Sequence, residues 1–135
     1  MSLEKSFDEI NETDITQLIE SQVSERKNIE YKLTLPENKY DSKKEFLADV
    51  SSFANTVGGH LLYGIKEENG IPVDVLGISG DDLDSEILRL ENLLRDGVQP
   101  RIQGISIKSV PVETGNPVIV IRVPQSWAKP HVVNF

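Results

Sequence analysis

The segment Phe46–Ile65 constrains the fold more than any other part of this sequence, because it predicts a helix that runs directly into a buried strand. Its first half spaces apolar side chains as on one face of a helix; they are Phe46, Val50, Phe53, Ala54 and Val57. Gly58 is placed to end that helix in the left-handed conformation. The residues His60–Ile65 leave no clean polar face, which is typical of a central strand covered on both sides.

Apolar periodicity also predicts helices over residues 13–22 and 81–96 and strands over residues 28–34, 72–78, 105–112 and 118–123. A short strand is expected within 130–135. Thr13 or Asp14 is expected to cap the first helix, and Gly97 to end the last. Ser42 and Glu45 have the spacing of a capping box that opens the central helix.

Two segments have the composition of hairpin turns, Glu67–Gly70 and Gly115-Asn116. The alternation changes phase at Lys108-Ser109, which predicts a β-bulge. The predicted fold class is therefore α+β, a mixed sheet with two β-hairpins and about three helices.

The length of 135 residues fits one domain, which we place at 13–135. Residues 1–12 are polar and are expected to be disordered or to derive from cloning. The sequence ends soon after Pro130-His131, so we expect a domain cut from a longer protein. It has no cysteine, no apolar run long enough to span a membrane and no signal peptide, and the expected location is cytoplasmic.

The net charge of −8, with 22 acidic and 14 basic residues, argues against a generally basic surface. Acidic residues are concentrated in 4–20 and 81–84, so a local basic patch remains an alternative to a uniformly acidic, solvated surface. Its candidate members are Arg26, Lys27, Lys32, Lys39, Lys43 and Lys44. A carboxylate pocket for a divalent metal is also compatible with this charge.

Two glutamates and a lysine form the first candidate site. On a strand over 28–34, Glu30 and Lys32 project from the same face and Tyr31 from the other. Glu25 lies just before the strand and can turn back towards Glu30. Two converging carboxylates can hold Mg²⁺ or Mn²⁺, and a lysine can stabilise charge on a phosphate. The alternative is a polar strand face with a Glu30–Lys32 salt bridge.

The turn Asn55-Thr56-Val57-Gly58-Gly59 also has two interpretations. Asn55 and the glycine backbone could line a site beside Glu30, or Asn55 and Thr56 could satisfy backbone groups while Gly59 allows close packing. The phosphate-binding patterns GxxxxGK[ST] and GxGxxG are absent, so the sequence argues against ATP binding.

The late segment Pro124–His131 contains the lone tryptophan, Trp127. A lone tryptophan after a strand most often closes an edge of the core; the alternative is that Trp127 stacks on a base while Lys129 meets a phosphate. His131 and His60 are the only histidines, so a zinc site is not expected.

In this order, three motifs resemble the Schlafen-type AlbA-like domain: Glu25–Lys32, Phe53–Gly59 and Pro124–His131. The resemblance covers about residues 18–133. It implies a nucleic-acid-binding domain of a transcriptional regulator, with further C-terminal parts, and AlbA-like folds often pair as homodimers. In nuclease-competent relatives the two glutamates hold the metal and a third acid follows the glycine-strand segment. Here Lys66 stands where the first aspartate would be, and Glu67 where the second would be.

Three functions follow from these patterns. The first is binding of DNA or RNA through Lys27, Lys32, Lys43 and Lys44 around Glu25 and Glu30, with Lys129 as a further contact. The second is a divalent-metal-dependent nuclease, with Glu25, Glu30 and Glu67 as metal ligands and Lys32 stabilising the phosphate. The third is an oligomerisation or interaction domain that binds no nucleic acid, which accounts most simply for the net charge.

Overall fold

The computed structural model describes residues 3–113 and 115–135. It contains a 3₁₀ turn at Phe7–Glu9 and three α-helices, α1 (Glu12–Glu20), α2 (Tyr40–Asn55) and α3 (Leu83–Gly97). The strands are β1 (Ile29–Lys32), β2 (Gly59–Tyr63), β3 (Ile65–Glu68), β4 (Ile71–Val75), β5 (Val98–Gln99), β6 (Ser106–Val112), β7 (Gly115–Val123) and β8 (Val132–Val133). The predicted α+β class, with its mixed sheet, two hairpins and three helices, is confirmed.

The chain forms two compact units, each built from three segments, and the single domain over 13–135 stays a prediction. The first unit comprises the described parts of 1–35, 60–79 and 106–122, and the second comprises 36–59, 80–105 and 123–135. Sequence periodicity could not show this division, because each unit is assembled from segments far apart in the chain.

A four-stranded sheet in the order β1-β2-β7-β6 organises the first unit. β1 pairs in parallel with β2, and β6 pairs antiparallel with β7, so the sheet is mixed. β2 lies between two neighbours and buries Leu61, Leu62 and Tyr63, which confirms the predicted central strand for residues 60–63. The strand does not continue to Ile65 as predicted, because Gly64 adopts φ 102° and Ile65 begins β3 of a separate two-stranded sheet. The β3–β4 hairpin turns at Asn69 and Gly70, both in the left-handed region, as the composition of Glu67–Gly70 predicts.

The N-terminal segment is packed, in contrast to the expectation of a disordered stretch over residues 1–12. Leu3 and Ile10 belong to the core of the first unit together with Ile15 and Leu18 of α1. Polar contacts support this packing, since the Lys108 ammonium donates to the Ile10 carbonyl at 2.8 Å. Residues 1 and 2 lie outside the described part of the chain.

The helix starts differ from those predicted. α1 begins after Asn11, whose side chain accepts from the Thr13 N–H while Asp14 completes a capping box, so neither Thr13 nor Asp14 is the N-cap. α2 begins after Lys39 without a side-chain cap, so the predicted Ser42–Glu45 box lies inside the helix. In both cases the helix starts a few residues before the predicted cap.

The β6–β7 hairpin differs from the predicted hairpin in the position of its bulge and of its turn. The register shift lies between Val110 and Val112, not at Lys108-Ser109, and it coincides with Pro111, which has no N–H to donate to the ladder. Gly115 pairs with Val112 and opens β7, so Gly115-Asn116 lies in the strand and not in the turn.

The second unit contains α2, α3 and the short β5–β8 pair, of which β8 confirms the strand expected within 130–135. The helices approach closely at Gly97, where an added Cβ would lie 2.5 Å from Leu47 Cδ1. The loop that follows β5 and the loop that precedes β8 are neighbours, because the Pro100 carbonyl meets His131, and a Cβ on Gly104 would lie 3.3 Å from Pro124. These are called the paired loops, residues 100–104 and 124–131.

Candidate functional site

The glutamate and lysine of β1 share one face of the strand, as predicted. Lys32 Nζ lies 3.5 Å from Glu30 Oε1, and both side chains are partly buried. Tyr31 faces the opposite side and is buried in the core of the first unit. Its hydroxyl donates to the Val23 carbonyl at 2.6 Å, and burial raises the pKa of the phenol above its ordinary value. The strand therefore presents an ion pair outward and anchors itself through Tyr31.

Glu25 turns back towards β1, and it binds backbone there. Its Oε2 accepts from the Tyr31 N–H at 2.9 Å, and its own N–H donates to the Gly70 carbonyl at 2.7 Å. The side chain thus replaces a backbone acceptor at the edge of β1 and links the strand to the β3–β4 turn.

Glu67 also serves the β3–β4 turn, since its Oε2 accepts from the Gly70 N–H at 2.6 Å. Within residues 3–113 and 115–135, no three or more histidine, aspartate or glutamate side chains are grouped so as to hold a metal ion. An ammonium group beside Glu30 also disfavours a cation there. The set Glu25, Glu30 and Glu67 therefore does not fit a three-carboxylate Mg²⁺ or Mn²⁺ site in this arrangement.

His60 is an acceptor in the first unit. Arg122 Nε donates to His60 Nε2 at 3.0 Å, and its Nη2 donates to the carbonyls of Leu3 and Lys5, each at 2.7 Å. Burial, and then the Arg122 charge, lower the pKa of His60 to about 4. His60 is therefore neutral near pH 7 and helps to orient the arginine that holds the N-terminal segment.

The Asn-Thr-x-Gly-Gly turn lies in the second unit and is engaged in backbone contacts. The Asn55 side chain brackets His131, with Nδ2 donating to its carbonyl at 3.0 Å and Oδ1 accepting from its N–H at 2.7 Å. Thr56 Oγ1 donates to the Ser52 carbonyl at 2.8 Å. Gly58 adopts φ 79° and donates to the Phe53 carbonyl at 2.8 Å, which confirms it as the left-handed end of the helix. Gly59 begins β2.

His131 holds the paired loops together from a buried position. Its Nδ1 lies 2.6 Å from the Pro100 carbonyl and its Nε2 lies 2.5 Å from Ser126 Oγ. Because a carbonyl only accepts, we assign the proton to Nδ1 and the acceptor role to Nε2. Ser126 Oγ also accepts from the Ala128 N–H at 3.1 Å. The serine, proline and histidine motif thus builds the loop around Trp127.

Trp127 is 89% exposed, so the interpretation that it closes an edge of the core is wrong. The residues on either side of it are fixed, with the Ser126 N–H donating to the Ala54 carbonyl at 2.9 Å. Lys129, two residues further on, is exposed as well. The loop therefore holds an indole ring and an ammonium group in solvent on an anchored backbone.

The other predicted nucleic-acid-binding lysines have different surroundings. Lys27 is exposed in the turn before β1. In the second unit, Lys43 Nζ lies 6.0 Å from the centroid of the Phe135 ring, and Lys44 Nζ lies 5.7 Å from that of Tyr40. The two rings stack with centroids 5.5 Å apart, so Lys43 and Lys44 already have cation–π partners.

Sequence reasoning missed Arg101, an exposed residue on the other paired loop, directly after the proline that binds His131. A signal was present in the distribution of charge along the chain. Between Val98 and Phe135 the sequence has one acid, Glu113, and four bases, Arg101, Lys108, Arg122 and Lys129. The negative charge of the protein thus lies upstream of this stretch.

Within the described residues, no helix is both long and apolar enough to cross a lipid bilayer.

Two solved structures are similar to this one at low sequence identity. The first is the solution NMR structure of the N-terminal domain of a RecG-related protein from Nitrosomonas europaea, with a TM-score of 0.56, 23% identity, and coverage of 82% of this chain and 72% of that one. The second is the crystal structure of the DIP2311 protein from Corynebacterium diphtheriae, with a TM-score of 0.53, 22% identity, and coverage of 90% of this chain and 24% of that one. This chain therefore corresponds to about a quarter of the DIP2311 protein. At these identities the likeness concerns the fold.

A family comparison gives the more specific result. No curated protein matches the sequence significantly. The Schlafen AlbA_2 family model matches residues 25–135, which include all three motifs and both paired loops. The chain therefore belongs to the Schlafen AlbA_2 family.

Proposed function

We propose that this chain is a nucleic-acid-binding domain. The observation that carries the proposal is the pair of exposed cations Arg101 and Lys129 on the paired loops, within a stretch that has a single acidic residue. Other cations of the second unit are matched by acids: Arg89 with Glu86 at 3.2 Å and Arg95 with Asp96 at 3.0 Å. Membership of the Schlafen AlbA_2 family supports the same assignment.

The net charge of −8 does not oppose local binding of a polyanion. At physiological ionic strength, charges further than about 8 Å from a phosphate are largely screened. A phosphate at the paired loops therefore responds to Arg101 and Lys129 more than to distant acids. Lys27 remains a candidate contact of the first unit.

The proposal extends to the setting of the domain. By family resemblance it serves a transcriptional regulator in the cytoplasm, with further C-terminal parts and association as a homodimer. The metal-dependent nuclease is not favoured, because Glu25 and Glu67 bind backbone N–H groups and Lys32 lies beside Glu30.

The proposal is tested by fluorescence anisotropy with labelled single-stranded RNA, single-stranded DNA and duplex DNA, at salt concentrations from low to moderate. We expect affinity to fall linearly with salt on logarithmic axes. The double variant Arg101→Gln/Lys129→Gln should reduce the slope by about 1 per phosphate contact removed.

Arg95→Gln is the matched control, because Arg95 is exposed but already paired with Asp96. It should leave both affinity and slope unchanged. Absence of binding to all three polymers at low salt would refute the proposal, as would an affinity that does not depend on salt. A parallel incubation with Mn²⁺ would expose any cleavage and so revive the nuclease.

A further inference from the structure

We infer that the paired loops bind unpaired nucleotides, with Trp127 stacking on a base while Arg101 and Lys129 contact the adjoining phosphates. The inference rests on the proposed function, because it requires that the domain binds nucleic acid. It adds that the nucleic acid is single-stranded and that Trp127 distinguishes it from a duplex.

The first step is the cost of the exposed indole. A tryptophan side chain has a large apolar surface and is usually mostly buried, yet 89% of Trp127 is exposed. Leaving that surface in water forgoes a large part of the stabilisation available from burial. The ring is therefore well placed to gain free energy when a flat apolar ligand covers it.

The second step is the rigidity of its support. Ser126 is fixed through its N–H to Ala54 and through its hydroxyl to His131. His131 is in turn held by Pro100 and by both ends of the Asn55 side chain. Because the backbone around Trp127 is already ordered, little conformational entropy remains to be lost there when a ligand binds.

The third step identifies the ligand. An indole can stack on a base only if the face of that base is uncovered, and in a duplex neighbouring pairs cover each face. Arg101 and Lys129 favour a partner with phosphates, and no acidic side chain occurs among the described residues 115–135. The combination of one exposed ring with flanking cations fits a single strand, in which every nucleotide carries both a base and a phosphate, better than an acidic peptide, whose charged side chains have no ring.

The sequence has a single tryptophan, so emission excited selectively at the indole, and not at the three tyrosines, reports on this loop alone. We expect a single-stranded oligonucleotide to quench Trp127 emission on binding, whereas a duplex of the same sequence should quench much less at equal phosphate concentration. Inorganic polyphosphate, which has charge but no bases, should bind without quenching.

Affinity measurements on Trp127 variants provide the second readout. Loss of one stacked base corresponds to a decrease in affinity of about 5- to 150-fold. Trp127→Ala should show this loss for the single strand and little change for the duplex, while Trp127→Phe keeps a ring and should retain most of the affinity. Both substitutions are at an exposed side chain, so thermal unfolding should be unchanged.

The outcomes separate the inference from the proposed function. Equal binding of single strand and duplex, no quenching, and no effect of Trp127→Ala would overturn the inference and leave nucleic-acid binding intact. Failure of every polymer to bind would overturn both. If Trp127→Ala instead abolished self-association, measured by sedimentation without nucleic acid, the indole would belong to a protein interface and the inference would be wrong.

Discussion

Glu25 illustrates how a side chain that resembles a metal ligand can serve the backbone. Its carboxylate accepts the Tyr31 N–H, and its own N–H is bound by Gly70, so one residue connects β1 with the β3–β4 turn. A carboxylate is a strong acceptor for a backbone N–H, and the contact leaves its second oxygen available to other donors. The position thus has a structural requirement for an acceptor, independent of any charge requirement.

This requirement predicts different outcomes for two substitutions. Glu25→Ala leaves the Tyr31 N–H without its acceptor and should lower the free energy of unfolding by about 1–3 kcal/mol. Glu25→Gln keeps an acceptor oxygen and should cost less than Glu25→Ala. Urea denaturation of the two variants gives the comparison. Equal destabilisation by both would show that the charge, and not the hydrogen bond, matters at this position.

His60 predicts a dependence of stability on pH. Its pKa is lowered from 6.5 to about 4 in the folded protein, so the unfolded chain binds the proton more tightly. The contribution is complete above pH 6.5 and is lost as the pH falls towards 4. The total is on the order of 3 kcal/mol at most.

The control for this titration is His60→Gln, which retains an acceptor for Arg122 but does not titrate. Denaturation curves at several pH values should show the wild-type protein losing stability over the interval, and the variant losing less. If the two pH profiles run parallel, then His60 does not carry the effect.

The contacts of a side chain were predictable from the sequence where they depend on residues close by in the chain. The Glu30–Lys32 pair and the buried Tyr31 follow from the two-residue repeat of a strand, and the structure has both. The exposure of Trp127 was not predictable, since it depends on Asn55 and Pro100, which are distant in sequence. The contact of Glu25 with the Gly70 backbone was not predictable for the same reason, because Gly70 lies in the β3–β4 turn, far from Glu25 in the sequence.

At the level of elements, helix positions were predictable and their first turns were not. α1 is capped by Asn11 together with Asp14. That capping pattern is present in the sequence, but the spacing of the apolar residues alone placed the start of the helix too late. α2 starts at Tyr40, before the Ser42–Glu45 pattern, and the Tyr40 ring stacks on Phe135. A tertiary contact of this kind can stabilise an additional turn that propensity does not predict.

The end of α2 gives a prediction at this scale. Gly58 has φ 79°, and a Cβ there would lie 2.7 Å from the Val123 carbonyl oxygen and 2.8 Å from the Gln125 nitrogen, both backbone atoms. Gly58→Ala should therefore lower the free energy of unfolding by at least about 2 kcal/mol.

Gly115→Ala is the comparison, because Gly115 has no heavy atom within 4 Å of an added Cβ and no positive φ. The midpoint of thermal unfolding should be lower for Gly58→Ala than for the wild type. For Gly115→Ala it should be almost the same as for the wild type. A midpoint for Gly58→Ala equal to the wild type would mean that the turn adjusts and does not require glycine.

The whole molecule combines an acidic N-terminal two thirds with a C-terminal stretch, Val98–Phe135, of four bases and one acid. Net charge alone obscured this segregation and made a scaffold without nucleic acid the simplest explanation. The fold brings two of these bases, Arg101 and Lys129, into the paired loops, which contain no acidic residue, so the charge of the loops differs in sign from the net charge. Fold class could be predicted from periodicity, whereas this juxtaposition depends on the β5–β8 pairing.

The extent of the folding unit is the last prediction. The family match begins at residue 25, but Leu3, Ile10, Ile15 and Leu18 all lie in the core of the first unit. Burial of each such side chain stabilises the folded state by about 1.5–3 kcal/mol, and a domain is stable by only about 5–15 kcal/mol in total. A chain trimmed to 25–135 should therefore lose cooperative unfolding and show the circular dichroism of a partly folded protein.

A chain starting at Leu3 is the control, because it retains all four of these side chains, and Leu18→Ala provides an intermediate case with a decrease of about 2–5 kcal/mol. We expect stability to decrease in the order full chain, Leu18→Ala, trimmed chain, with the control equal to the full chain. A trimmed chain as stable as the full one would show that the N-terminal segment covers a core that is already sufficient. The order also matters for binding studies, since a protein cut at the family boundary would lack four core side chains of the first unit.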